Sequence, residues 1–246
     1  NVSFGSSDKR RILFQIRLLT AGAGDLVVMK GPVGSGKSKL MRGMSGLLPV
    51  LSGSYKLNGT SINRSRISEL VYVPEIDGEL ELQDFLVNDF SEIAALPARH
   101  ATSVQIINYL GFDLETLHDI RSQMQGCQTG QVLLSGDIRK RLALLRAFTQ
   151  SAGLIILDQP TACLESGSVT ALVRTIGFVL RQNKCVILAS NHSELLVEAS
   201  IIGHVSGARI NKIETAHEPH PTIRVNSGHL GIISQAVDYE KIRANR

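Results

Sequence analysis

The sequence predicts an α/β fold: a phosphate-loop core of parallel strands with an antiparallel β edge and an inserted helical subdomain. Three observations carry that expectation. Residues 31–38 read GPVGSGKS and fit the phosphate-binding pattern G-x-x-x-x-G-K-[ST] at every specified position. An apolar run, Leu26-Val27-Val28-Met29, precedes the loop as a buried strand, and Leu40, Met44, Leu47 and Leu48 follow it at helical spacing. Further on, Leu154-Ile155-Ile156-Leu157 is an apolar run, then Val169, Leu172, Val173, Ile176 and Leu180 line one helix face, then Cys185 to Ala189 form another run. Strand, helix and strand in that order imply a parallel sheet with a right-handed crossover.

The other elements follow in chain order. Asn1 to Phe4 and Ile12 to Leu18 are expected strands, and Gly22 to Asp25 is a turn. Ser54 to Leu57 is an expected strand, ended by the hairpin-type pair Asn58-Gly59. Val71-Tyr72-Val73 is another, stopped by Pro74. From about Leu82 to Phe148 helical spacing dominates, in Phe85-Leu86-Phe90 and again in Ile138, Leu142 and Leu145. The expected organisation is a core of residues 1–82 and 151–215, a helical subdomain at 83–150, and a C-terminal extension at 216–246.

A chain of 246 residues suits one large domain or a core with a subdomain. The net charge of +4 is mildly basic, but no aromatic-interleaved basic patch accompanies it, so direct nucleic-acid binding is not expected. Cys127, Cys163 and Cys185 are odd in number and lack C-x-x-C spacing, which fits reduced thiols. No apolar run approaches the roughly 18 residues of a membrane span, and Asn1 to Arg10 has no signal-peptide core. A membrane role therefore runs through a partner, or through a part of the protein outside this chain.

A strand that passes through a glycine-rich loop into a helix aims backbone N–H groups, and the positive helix end, at one spot. The expected nucleotide contacts are Gly31, Pro32, Val33, Gly34, Ser35, Gly36, Lys37, Ser38 and Lys39. Lys37 would reach the outer phosphates, and Ser38 would place its hydroxyl on Mg²⁺. ATP and Mg²⁺ are the expected cofactors. Such a site also needs a carboxylate at the end of a neighbouring strand. Asp158, directly after Leu154 to Leu157, supplies it.

Four further segments make the chain resemble the nucleotide-binding domain of ABC transporters, over at least residues 1–210, with its P-loop NTPase (RecA-like) core. Leu134-Ser135-Gly136, followed by the LLRAF stretch, is similar to the family's LSGGQ signature and its helix. Leu157-Asp158-Gln159-Pro160-Thr161 resembles the LDEPT segment. Ala162-Cys163-Leu164-Glu165 stands where the family's loop crosses to the partner subunit. His192 ends the next strand, where the family keeps its switch histidine. The resemblance implies a head-to-tail dimer with a second, identical or related nucleotide-binding domain. Each phosphate loop then faces the other chain's signature, where Ser135 and Gly136 meet the γ-phosphate. It also implies a transmembrane transporter domain, in the same parent chain or a separate subunit, and a place on the cytoplasmic side of a membrane. Asn1-Val2-Ser3-Phe4 resembles the opening strand of this domain in exporters whose membrane and motor parts share one chain.

Departures from the family pattern shape the expected chemistry. Gln159 replaces the glutamate that acts as general base; a neutral amide orients a water but does not take its proton, and losing a base costs about 10²–10⁴ in rate. Gln159 is either native or a deliberate isosteric replacement that traps ATP. With His192 it forms the expected catalytic pair. Asp137 and Ile138 replace the last Gly and Gln of the signature, and Asp137 is expected to repel a partner's γ-phosphate unless it points away. Glu75 replaces a glutamine that touches Mg²⁺, and joins Ser38 and Asp158 as the expected metal ligands. Ser6 occupies the adenine-stacking position, with Phe4 two residues off.

The function these features imply is the ATP-driven motor of a transporter, with slow turnover. The alternatives are a non-hydrolysing regulatory cassette that dimerises with a competent partner, a soluble ABC ATPase of translation or DNA repair, and an unrelated phosphate-loop kinase. His217 and His220 fit a proline-stiffened linker rather than a metal tract, and His100, His118, His204 and His229 are isolated ordinary residues. Cys163 is expected to be a small packing residue, and Lys9-Arg10-Arg11 a charged loop.

Overall fold

The computed structural model describes residues 1–6, 11–61, 69–75, 101–126 and 134–215. Its strands are β1 (Val2–Ser6), β2 (Arg11–Ile16), β3 (Leu26–Lys30), β4 (Val50–Ser52), β5 (Lys56–Leu57), β6 (Thr60–Ser61), β7 (Leu70–Val73), β8 (Leu154–Asp158), β9 (Cys185–Ala189), β10 (Ile201–Ser206) and β11 (Arg209–Thr215). The helices are α1 (Lys37–Met44), α2 (Ala101–Tyr109), α3 (Leu114–Gly126), α4 (Gly136–Thr149), α5 (Ser166–Leu180) and α6 (Ser193–Val197). The expected helix at Phe85-Leu86-Phe90, together with Cys127, His100, His217, His220, His229 and the extension at 216–246, lies outside the described residues.

One nine-stranded sheet runs in the order β4-β1-β2-β11-β10-β3-β9-β8-β7, and β5 and β6 form a separate hairpin. The β10-β3-β9-β8-β7 stretch is parallel throughout, as the strand–helix–strand reading requires, whereas β4, β1 and β2 pair antiparallel at the edge. Both faces of the parallel part are covered, which explains why its strands are continuous apolar runs rather than alternating ones. Leu26 and Val28 point into the layer formed with α2 to α6, while Val27 and Met29 point into the layer with α1, β1 and β2. Each fully buried Leu, Ile or Met of these layers contributes about 1.5–3 kcal/mol.

Several boundaries differ from the expectation. The helix after the phosphate loop stops at Met44, so Leu47 and Leu48 lie beyond it and Leu47 is exposed. The cause is Gly46, whose φ of 79° is left-handed; the N–H groups of Gly46 and Leu47 turn back onto the Gly43 and Arg42 carbonyls, which closes the helix. Asn58 and Gly59 take φ of 53° and 76°, as a tight hairpin turn needs, but the strand before them is only Lys56–Leu57. β1 and β2 are shifted against the expected ranges: Arg11 pairs with Ser6 at the start of β2 instead of belonging to a charged loop. The β10–β11 hairpin was not foreseen. Its two-residue turn, Gly207-Ala208, has φ of 56° and 58°, and it seats β10 directly beside β3.

Candidate functional site

β3, β8 and β9 are parallel neighbours, so their C-terminal ends open onto one edge of the sheet. This is where crevices form in open α/β sheets. The phosphate loop leaves β3 and enters α1 through Gly36, whose φ of 103° suits glycine and leaves the helix with no side-chain cap. The first-turn N–H groups of α1 therefore point outward as an anion site. Gly31 has a second reason to lack a side chain: a Cβ there would lie 2.2 Å from the Val205 carbonyl oxygen of β10.

Lys37 is buried, and its ammonium donates to the Gly31 and Pro32 carbonyls at 2.7 and 2.9 Å. Burial lowers its pKa, opposed by the charges of Asp158 and Glu75. Ser35 is buried; its carbonyl accepts from the Ala208 N–H at 3.0 Å, and its hydroxyl has no partner among the described residues. Pro32, Val33, Gly34 and Lys39 are exposed along the rim.

Asp158 closes β8 at the adjacent position. Burial raises its carboxyl pKa, a hydrogen bond from Ser38 opposes this, and the Glu75 charge raises it further. Lys140 and Lys37 act in the lowering direction. Asp158 Oδ1 is buried with no partner among the described residues. The Ser38 hydroxyl and the Glu75 and Asp158 carboxylates, the last with its orphaned buried oxygen, form a hard oxygen set, which fits Mg²⁺ held by one or two carboxylates plus phosphate. Among the described residues no cluster of three or more His, Cys, Asp or Glu makes an all-protein cage.

Gln159 follows with φ of 46°, its N–H donating to the Ala189 carbonyl at the end of β9, so β8 and β9 jointly set its place. His192 is the N-cap residue of α6; its N–H donates to Ser190 Oγ at 3.1 Å, and its Nδ1 is buried without a partner among the described residues. Asn191, which sequence reading passed over, makes a reciprocal pair with the Gly31 peptide. Its Oδ1 accepts from the Gly31 N–H and its Nδ2 donates to the Gly31 carbonyl, each at 3.0 Å. Lys140 was also missed, because a lysine in a helix usually reads as surface. Here it is buried in α4, and its charge reaches Asp158.

Ser135 stands apart from these groups, at the N-cap of α4, with its Oγ accepting from the Ile138 N–H at 3.2 Å. Gly136 opens the helix behind it, and Ser135 remains exposed. That hydroxyl still has its proton to donate to an anion. Asp137 does not face out beside it. The carboxylate is buried, accepting from the Glu165 N–H at 3.0 Å and from Arg141 Nε at 2.7 Å. Burial alone would raise its pKa, but hydrogen bonds from Ser168 and Glu165 and the Arg141 charge bring it below the ordinary carboxylate value. The expected repulsion of a phosphate is therefore absent from this side chain's direction.

Phe4, two residues from the expected stacking position, offers no stacking face: it is fully buried, edge-on to Tyr55 at 6.0 Å, and fills the space against Gly43. Two other expectations need correction. Cys163 is not a core packing residue: it is exposed, with φ of 66°, in the loop between β8 and α5. His204 is not isolated: its Nε2 lies 3.1 Å from Glu214 across the β10–β11 hairpin.

The family model described as ABC transporter matches residues 16–162, which span the phosphate loop, Ser135 and Asp158. The chain belongs to the ABC transporter family. The vitamin B12 import ATP-binding protein BtuD of Vibrio cholerae is 31% identical over 183 residues, covering 71% of this chain and 70% of that protein. A probable ABC transporter ATP-binding/permease protein of Haemophilus influenzae is 27% identical, covering 84% of this chain but 37% of its own length. This ABC domain thus spans little more than a third of that relative. Its fold is shared with an ATP-bound bacterial Atm1-family ABC exporter, with a TM-score of 0.65, 20% identity, and coverage of 87% of this chain and 37% of that one. It is also shared with a dimeric post-hydrolysis state of the ATP-binding cassette MJ0796, with a TM-score of 0.60, 14% identity, and coverage of 88% and 97%. No helix of the described residues is long and apolar enough to cross a membrane.

Proposed function

We propose that the chain is the ATP-binding, slowly hydrolysing motor of an ABC transporter, acting through ATP-driven closure and reopening of a head-to-tail dimer on the cytoplasmic side of a membrane. One observation carries the reading. Lys37 at the start of α1, Asp158 and Gln159 at the end of β8, and His192 just after β9 all follow the C-terminal ends of three adjacent parallel strands, β3, β8 and β9.

In this reading Gly31 to Lys39 hold the phosphates, with loop N–H groups and Lys37 neutralising their charge. Ser38, Asp158 and Glu75 hold Mg²⁺, which when bound neutralises charge on the phosphate oxygens. Gln159 orients the attacking water through its amide but cannot accept the proton, so turnover stays low. His192, at the end of β9, holds the far side of the terminal phosphate. Ser135 and Gly136 serve a second chain's nucleotide, the Ser135 proton and the α4 N-terminus both favouring an anion.

The neutral Gln159 also supports the second reading, a non-hydrolysing regulatory cassette. A steady-state ATPase measurement on the purified full chain separates the two. The motor reading expects slow but measurable Mg²⁺-dependent hydrolysis. No hydrolysis alone, with stimulation only on mixing with a competent cassette, favours the regulatory one. Several turnovers per second would overturn the base role given to Gln159.

A further inference from the structure

We propose that Asp137 is a positioning residue: it ties the loop Ala162 to Glu165 to the first turn of α4, so that Ser135 and that loop meet a partner as one body. The proposal rests on the dimer reading above. A carboxylate in the first turn of a helix ordinarily turns toward that helix's own N–H groups or toward water. Asp137 does neither. One oxygen accepts from the backbone N–H of Glu165, the N-cap residue of α5, and the other from Arg141 one turn along α4. Glu165 provides no side-chain cap for its own helix, so the carboxylate from α4 fixes the end of the loop instead.

The tie continues inward. Arg141 Nη1 donates to the Leu110 and Gly111 carbonyls beyond the end of α2, at 2.9 and 3.3 Å, and the guanidinium lies 4.7 Å from the centre of the Phe112 ring. Three segments far apart in sequence are thereby joined through one buried carboxylate and one arginine. Charge-assisted bonds in a place shielded from water are stronger and more directional than neutral ones. Steric fit acts in the same direction: a Cβ on Gly136 would sit 3.3 Å from Cys163 Cβ, so loop and helix start already touch. A freely turning carboxylate beside Ser135 would oppose an arriving phosphate. Engaging it with Glu165 and Arg141 removes that opposition and links the two surfaces.

The test uses the full chain with Cys127→Ser and a nitroxide on Cys163, which is exposed while Cys185 is buried. Asp137→Ala is expected to speed label motion by about threefold, and Asp137→Asn, whose amide oxygen still accepts from Glu165 but whose nitrogen cannot accept from Arg141, to give a smaller increase. Equal spectra for the alanine variant and its parent overturn the tie. If the alanine variant does not fold, amide exchange of Glu165 in the unmodified chain decides: protection of about 100-fold supports the tie, and exchange at the open-loop rate overturns it. ATP-driven self-association is followed in parallel by light scattering. Asp137→Ala should need about fivefold more ATP to associate, and an unchanged requirement alongside a mobile label overturns the positioning role. Failure of the parent chain to associate counts against the dimer reading, while label and exchange still judge the tie.

Discussion

Gln159 carries a neutral amide on a left-handed backbone that two strands hold in place, and in the proposed motor it stands where a base would act. The backbone belongs to the turn after β8, so a glutamate there would take the same position and differ only in charge. Gln159→Glu should therefore raise the ATPase rate at least about tenfold, measured by phosphate release. An unchanged rate would mean that another group limits the reaction. The placement of Lys37, Asp158 and Gln159 just beyond β3 and β8 was legible because each sits at a fixed offset from an apolar run. The direction of Asp137 was not. It depends on the Glu165 N–H, which tertiary folding brings to it. The same holds for Phe4, whose burial is decided by Gly43 on α1 and Tyr55 beyond it.

Among the elements, the loop between β3 and α1 is held as tightly from outside as from within. Gly31 abuts β10, and a methyl group there would meet backbone rather than a flexible side chain. Gly31→Ala is expected to destabilise the fold by about 1–3 kcal/mol, read from urea unfolding, because strand and loop must separate to admit the carbon. A two-state midpoint equal to that of the parent would show that the loop shifts freely. The buried strands β3, β8 and β9 were legible from their uninterrupted apolar runs, and α5 from its 3.6-residue period. The end of α1 and the β10–β11 hairpin were not. A single left-handed glycine ends the one, and the other's turn contains Ala208 in a conformation that its residue type does not advertise.

At the scale of the molecule, α1 packs on one face of the sheet and α2 to α6 on the other, and the site lies at the rim between them. A ligand gripped at that rim binds the folded state alone. Mg²⁺ and ATP at a hundredfold excess over the dissociation constant should stabilise the chain by about 2.7 kcal/mol, seen as a raised Tm, and Lys37→Ala should lose most of that gain. No shift in the parent chain would count against nucleotide binding. The parallel part of the sheet was legible from the order of strand and helix. Its full order was not, since β11 joins the edge strands to the parallel ones through pairings that no local pattern records.

The reciprocal pair between Asn191 and the Gly31 peptide has one more consequence. It staples the mouth of the cradle to the root of the turn bearing His192, across 160 positions of chain. A displacement of either is passed to the other through two hydrogen bonds. In the proposed motor, loss of a terminal phosphate beside His192 would therefore pull on the peptide at which the cradle begins.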